Sequence, residues 1–371
     1  MKVPFVDLNA QYKSIKPEID EAIRQVIESA RFIGGAKVEE FEKKISHFVG
    51  VDYCVSVGSG TDALLLGIKG LGLPAGSEVL IATNSYFASA LCIAENGLKP
   101  VFVEADESDF GIDLADLKRK ITSRASAIIL VHLYGQADKI GEVQEIIKKT
   151  GRKMYLIEDV AQAHGALYND KPAGSFGVFG AFSFYPGKNL GAYGDGGAIV
   201  TKSNALAKKY RQLREYGQIK KYYHQLLGRN SRLDSLQAAL LSIKLMHLKK
   251  WNRKRGKIAQ TYDKLLANTP EIITQATFKN RQSVYHLYVV RTKKRKKLQE
   301  YLTQRGIATI IHYPIPLHLQ EAYRYLDYKR GDLPVAEKIA DEIISLPLYP
   351  EMTRKEVDYV CQTITSFYLN Q

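Results

Sequence analysis

A chain of 371 residues, 45% of them hydrophobic, is long enough for one large domain and a smaller companion. Its formal charge of +14 suits nucleic acid, an acidic surface or an anionic small substrate. Cys54, Cys92 and Cys361 are scattered, with no CxxC pair, and no uncharged apolar run nears the roughly 20 residues a bilayer requires, which excludes a zinc knuckle, a disulfide framework and a helical membrane span.

The N-terminal Met1-Lys2-Val3-Pro4-Phe5-Val6-Asp7 lacks a signal-peptide core, and the expectation is a cytoplasmic protein. Residues 15–29 place Ile15, Ile19, Ile23, Val26 and Ile27 near one helical face, and residues 38–48 form a second helix stopped by Gly50. Short apolar strands then alternate with helices. They are predicted at residues 53–57, 78–82, 100–103, 127–131, 154–158, 178–184 and 198–201. This alternation predicts an α/β fold with a mostly parallel sheet between helices. Residues 235–266 read as a long helix leading out of that domain. Beyond it, strands at 285–290 and 307–311 and helices at 293–305, 334–344 and 354–367 describe a small α+β domain. The division is placed at 1–245 for the large domain and 246–371 for the small C-terminal one. Two dense basic clusters, at 249–257 and 293–297, read as solvated helix faces. They lack zinc-finger spacing and RNA-recognition aromatics, so no nucleic-acid partner is expected.

Four segments carry chemistry. In the run 182–191, FSFYPGKNLG, an aromatic strand enters a Pro-Gly turn that presents Lys188, an amine able to condense with a carbonyl. Alone it is equally a surface lysine. The strand 53–57 leads into Gly58-Ser59-Gly60-Thr61-Asp62 and a helix, an arrangement that leaves backbone N–H groups open to a phosphate and that also describes ordinary capping. Asp159 falls at the carboxyl end of a buried strand, where open α/β sheets bind ligands. It could hold a pyridine nitrogen protonated, or serve as a cap or salt bridge. Tyr86 follows the strand 78–82, placed either to stack on a flat cofactor or to fill the core.

These stretches resemble the DegT/DnrJ/EryC1/StrS family of nucleotide-sugar aminotransferases, a branch of the fold-type-I enzymes that use pyridoxal 5'-phosphate (PLP). The matching runs are GSGTDAL at 58–64, EVLIATNSYFASA at 78–90, VHLYGQ at 131–136, IEDVAQAHGA at 157–166, FSFYPGKNLGAYGDGGAIVT at 182–201, GRNSRLDSLQAA at 228–239 and IHYPIPLH at 311–318. They keep the family's order over nearly the whole chain. Val160 stands where alanine is commoner. The resemblance implies that Lys188 holds PLP and, once freed, moves the substrate's proton. It implies that Asp159 pairs with the ring nitrogen, Tyr86 stacks on the ring and Gln162 contacts the ring hydroxyl or stacks nearby. Gly60, Thr61 and Ser183 would bind the phosphate, and Asn230 would reach a neighbouring subunit's phosphate, making a homodimer with shared sites.

For the substrate, the resemblance implies a nucleotide-linked keto sugar, with L-glutamate as amino donor. Tyr185, His312 and Tyr313 would line the sugar pocket, although His312 read alone is a core histidine. Lys220 and Lys221 lie in a loop resembling one that reaches the nucleotide diphosphate. The lysine loop, with YGQ at 216–218 and NSRLDSLQAA at 230–239, looks most like members that aminate C3 of dTDP-linked 3-keto-6-deoxyhexoses. The alternatives are a 4-keto substrate, a UDP-linked 3-keto sugar and, remotely, a module binding nucleic acid or an acidic partner. Relatives that dehydrate instead of aminating carry histidine where this chain has Lys188.

Overall fold

Seven short strands form the central sheet in a computed structural model that describes residues 1–369. From edge to edge they run Tyr53–Val57, Gly197–Thr201, Phe179–Ser183, Tyr155–Asp159, Ala125–Val131, Glu78–Ala82 and Lys99–Val103. Gly197–Thr201 is antiparallel to both neighbours, and the remaining pairings are parallel. Parallel strands need crossover helices, which cover both faces and allow unbroken apolar runs such as Ile128-Ile129-Leu130-Val131. Alternate side chains enter separate cores. Ile129 packs with Val55, Leu64, Ile81, Ile157 and Phe179, whereas Ile128 and Leu130 pack with Leu80, Ile140, Val143 and Leu156 on the other face.

The helix Gly60–Leu71 lies on the first of these faces. Ser59 caps it by accepting from the Asp62 N–H, and Gly72 ends it at φ 63°. The long helix Ser235–Leu266 runs without a break through residues 245 and 246. Beyond it, Ile273–Thr274, Tyr288–Arg291 and Ile343–Leu346 form a three-stranded antiparallel sheet, with the helices Arg295–Gln304, Pro334–Glu342 and Arg354–Leu369.

Predicted strands of the large sheet coincide with the observed ones to within two residues at either end. Three local expectations fail. Residues 307–311 make only single bridges, Val3 to Ile307 and Ile310 to Ser345. The strand is instead Ile343–Leu346, so the helix expected to reach Ile344 stops at Glu342. That carboxylate receives Arg291 at 2.7 Å, and the β-branched pair behind it is buried against Tyr288–Arg291. Ile27 is 60% exposed because Ile19, Ala22 and Val26 define the buried stripe of Lys16–Ser29. Asp159 and Ser183 thus end two neighbouring parallel strands, Asp159 pairing with Ala181, at the carboxyl edge where open α/β sheets form their ligand crevice.

Candidate active site

Asp159 is the last residue of Tyr155–Asp159 and is 4% exposed. Its Oδ2 accepts from Ser89 Oγ at 2.7 Å and its Oδ1 from the Ala161 N–H at 3.0 Å, which fixes the plane of the carboxylate. The neighbouring strand Phe179–Ser183 continues into a turn in which the Lys188 N–H reaches the Tyr185 carbonyl at 2.8 Å. The lysine loop then folds back on its own stem through Ala192 N–H to Phe184 O and Phe184 N–H to Gly196 O, both 2.8 Å. Burial pushes the Lys188 ammonium down to about 8, while the carboxylate of Asp159 acts in the opposite direction. A substantial share of this amine is therefore neutral and nucleophilic at mildly alkaline pH.

Three histidines sense the Lys188 charge. Burial and that charge lower His164 to about 3 and His312 to about 4, and they hold His286 well below the ordinary imidazole range. All three are neutral near pH 7, so they do not place further positive charge beside the amine. His164 donates from Nε2 to the Ser183 carbonyl at 2.9 Å, which leaves its buried Nδ1 without a partner among the described residues. His312 Nδ1 meets Ser345 Oγ at 2.9 Å, and His286 Nδ1 meets Asn189 Oδ1 at 3.3 Å.

The helix Ser235–Leu266 holds the lysine loop from one side. Gln237, Lys244 and Asn252 are spaced seven and eight residues apart and therefore share a helical face. Gln237 brackets the Tyr193 backbone at 2.8 and 3.3 Å. Lys244, fully buried, donates to the Gly191 carbonyl at 2.7 Å and sits 4.1 Å from the Tyr193 ring centroid. Asn252 accepts from Asn189 at 2.9 Å and donates to the His164 carbonyl at 2.8 Å.

The other end of the crevice is built for an anion. Gly60 and Thr61 open the helix Gly60–Leu71, where first-turn N–H groups and the helix dipole favour negative charge. A Cβ on Gly60 would stand 2.4 Å from Ser183 Cβ, so only glycine lets this helix start against the strand end that carries the Ser183 hydroxyl. These residues fit PLP: an amine for its aldehyde, a carboxylate for its ring nitrogen, and a helix start with a hydroxyl for its phosphate.

Tyr86 is 52% exposed beside the crevice, its ring 5.4 Å from that of Tyr313. Gln162 donates from Nε2 to the Tyr313 hydroxyl at 3.0 Å and accepts at Oε1 from the Tyr134 N–H at 2.8 Å. One amide hydrogen of Gln162 is thus available to a ring oxygen. Tyr185 is 60% exposed on the lysine loop. Asn230 lies between Arg229, which pairs with Asp62 at 3.3 Å, and Ser231, which accepts from the Gly58 N–H at 3.0 Å. Its own side chain is exposed. Lys220 and Lys221 stand on an exposed hairpin, over the rings of Tyr223 and Tyr222. No hydrogen bond or ion pair among the described residues joins them to the crevice of the same chain. Sequence reading gave no role to Ser89, Tyr134, His164, His286 or Lys244. The first three lie inside the quoted motifs, but Lys244 looks like any charged helix position.

A family model, the DegT/DnrJ/EryC1/StrS aminotransferase family, matches residues 13–365. The "dTDP-3-amino-3,6-dideoxy-alpha-D-galactopyranose transaminase" of Aneurinibacillus thermoaerophilus is 45% identical, covering 98% of this chain and 99% of its own. A "pleiotropic regulatory protein" of Geobacillus stearothermophilus is 44% identical over 99% of both chains. Among solved structures, S. venezuelae DesV superposes with a TM-score of 0.96 at 41% identity, over 99% of this chain and 98% of that one. Sequence, fold and crevice thus agree, and the chain belongs to the DegT/DnrJ/EryC1/StrS aminotransferase family, whose members use PLP.

Proposed function

We propose that this enzyme converts a dTDP-linked 3-keto-6-deoxyhexose to the 3-amino-3,6-dideoxy sugar, with L-glutamate as amino donor. The reaction type is supported by the family match over residues 13–365 together with the arrangement of the lysine loop beside Asp159, whose carboxylate is held by Ser89 and the Ala161 N–H. The choice of C3 and dTDP is supported by the 45% identity to a transaminase named for such a sugar. When bound, PLP supplies an electron-withdrawing ring that takes up the charge left when a substrate C–H bond breaks. Lys188 holds the cofactor and, when released, its Nζ takes the proton from the glutamate α-carbon and returns one to the sugar carbon. Asp159 keeps the ring nitrogen protonated, with its plane held by Ser89 and Ala161. Gly60, Thr61 and Ser183 bind the phosphate, Tyr86 covers the ring, and Gln162 contacts its hydroxyl.

On the substrate side, Tyr185, His312 and Tyr313 line the sugar pocket, and Lys220 and Lys221 meet the diphosphate of a nucleotide held by a second subunit. A homodimer also places Asn230 at the neighbour's phosphate. Its exposed side chain between two residues that face their own helix start supports that direction. The division into residues 1–245 and 246–371 belongs to the same reading, with Ser235–Leu266 as the shared helix.

The test is product analysis. The enzyme is supplied with ¹⁵N-glutamate and, in turn, dTDP-3-keto, dTDP-4-keto and UDP-linked 3-keto sugars, and the products are read by NMR. Nitrogen on C3 of the dTDP sugar, at a rate well above the other substrates, is expected. Nitrogen on C4, or preference for the UDP sugar, overturns the assignment of substrate and leaves the aminotransferase chemistry standing.

A further inference from the structure

Tyr134, in the run VHLYGQ, makes three hydrogen bonds through three different groups. Its N–H donates to Gln162 Oε1 at 2.8 Å, its carbonyl accepts from the Leu287 N–H at 3.2 Å, and its hydroxyl donates to the His312 carbonyl. Gln162 in turn donates to the Tyr313 hydroxyl at 3.0 Å. Tyr134, Gln162 and the dipeptide His312-Tyr313 therefore close a ring of hydrogen bonds between the large sheet and the segment that enters from the small domain. Tyr134 is 1% exposed and adopts φ 60°, ψ 5°, a left-handed conformation that a bulky residue rarely takes. Such a conformation persists when the surroundings over-determine it, and these cluster at ligand sites. The next residue, Gly135, permits the close approach: a Cβ there would lie 2.6 Å from the His286 N.

We infer that Tyr134 is a positioning residue for the keto-sugar side of the reaction, acting through its hydroxyl on His312-Tyr313. The inference rests on the reading above that this dipeptide lines the sugar pocket. Two different groups of Tyr134 make these contacts, and a substitution can remove one of them alone. Its backbone N–H sets the Gln162 amide and thus serves the cofactor side, whereas its hydroxyl acts on the loop that meets the sugar. A phenylalanine keeps the backbone, the ring and its edge-to-face contact with Phe110 at 6.1 Å, and removes only the hydroxyl. The His312 carbonyl then loses its donor in a half-buried place, and the dipeptide is free to shift.

The experiment compares the two half-reactions in the PLP-loaded wild type and in Tyr134→Phe. Glutamate turnover is followed by the loss of visible absorbance of the bound cofactor, and keto-sugar turnover by its return. The variant should raise the KM for the sugar roughly tenfold, the loss expected for one hydrogen bond to a half-buried acceptor. The glutamate half-reaction should stay within about twofold of wild type. Equal losses in both half-reactions would overturn the inference, because they would mean a general structural role. So would an unchanged sugar KM. A wild-type enzyme that processes glutamate but none of the nucleotide keto sugars would instead remove the substrate reading, and the inference with it.

Discussion

Two opposing influences meet at Lys188: burial lowers its ammonium to about 8, and the nearby carboxylate of Asp159 limits the fall. The consequence for reactivity has a definite sign. The neutral amine is the nucleophile, so lowering the pKa increases the reactive form. At pH 8 roughly half of such amines are neutral, against about one in 300 for a lysine near its ordinary value. The rate at which cofactor-free enzyme takes up PLP covalently should climb with pH and level off above about pH 8. A rate still rising through pH 10 would mean that the amine is solvated. Lys188 stood out only beside the family resemblance, whereas the place of Asp159 at the carboxyl end of a strand was legible in the sequence. Ser89 was not, because its role arises only when Phe87–Glu95 packs its first turn against the end of Tyr155–Asp159.

The strands of the large sheet could be read because most are buried on both faces and bounded by turn residues, as in Glu78–Ala82. The C-terminal part of the chain was harder. Residues 307–311 carry four β-branched side chains in five and residues 343–346 only two in four, yet the pairing with Tyr288–Arg291 makes Ile343–Leu346 the strand. Propensity does not contain that choice. The face of Ser235–Leu266 that holds the lysine loop was likewise hidden. Lys244 belongs to a helix rich in exposed lysines and arginines, and nothing local distinguishes the one whose amine is buried against Gly191. The left-handed turn at Tyr134 is a third case, since an aromatic residue there gives no sign of positive φ.

At the scale of the whole molecule, the proposed homodimer has a consequence that a self-sufficient chain lacks. If Asn230 completes the neighbour's phosphate site, mixing inactive Lys188→Ala subunits with Asn230→Ala subunits creates heterodimers. Half of the sites in each of these are intact. Activity should then rise above the sum of the separate variants, once subunit exchange is confirmed by mass or light scattering. Activity equal to that sum would show that each chain builds its site alone. The proposed dimer would have Tyr222, 79% exposed on the hairpin Gln218–Lys220 with Tyr223–His224, and Leu227, 86% exposed three residues beyond it, to cover.

The crevice between Asp159 and the helix start at Gly60 is the proposed PLP site, with Lys188 as its covalent anchor. The most direct test loads the protein with PLP, reduces it with borohydride and maps the modified peptide by mass spectrometry. A single phosphopyridoxyl adduct on Lys188, prevented by Lys188→Ala, is the result predicted here. An adduct on another lysine, or label retained in that variant at the same level, would contradict it.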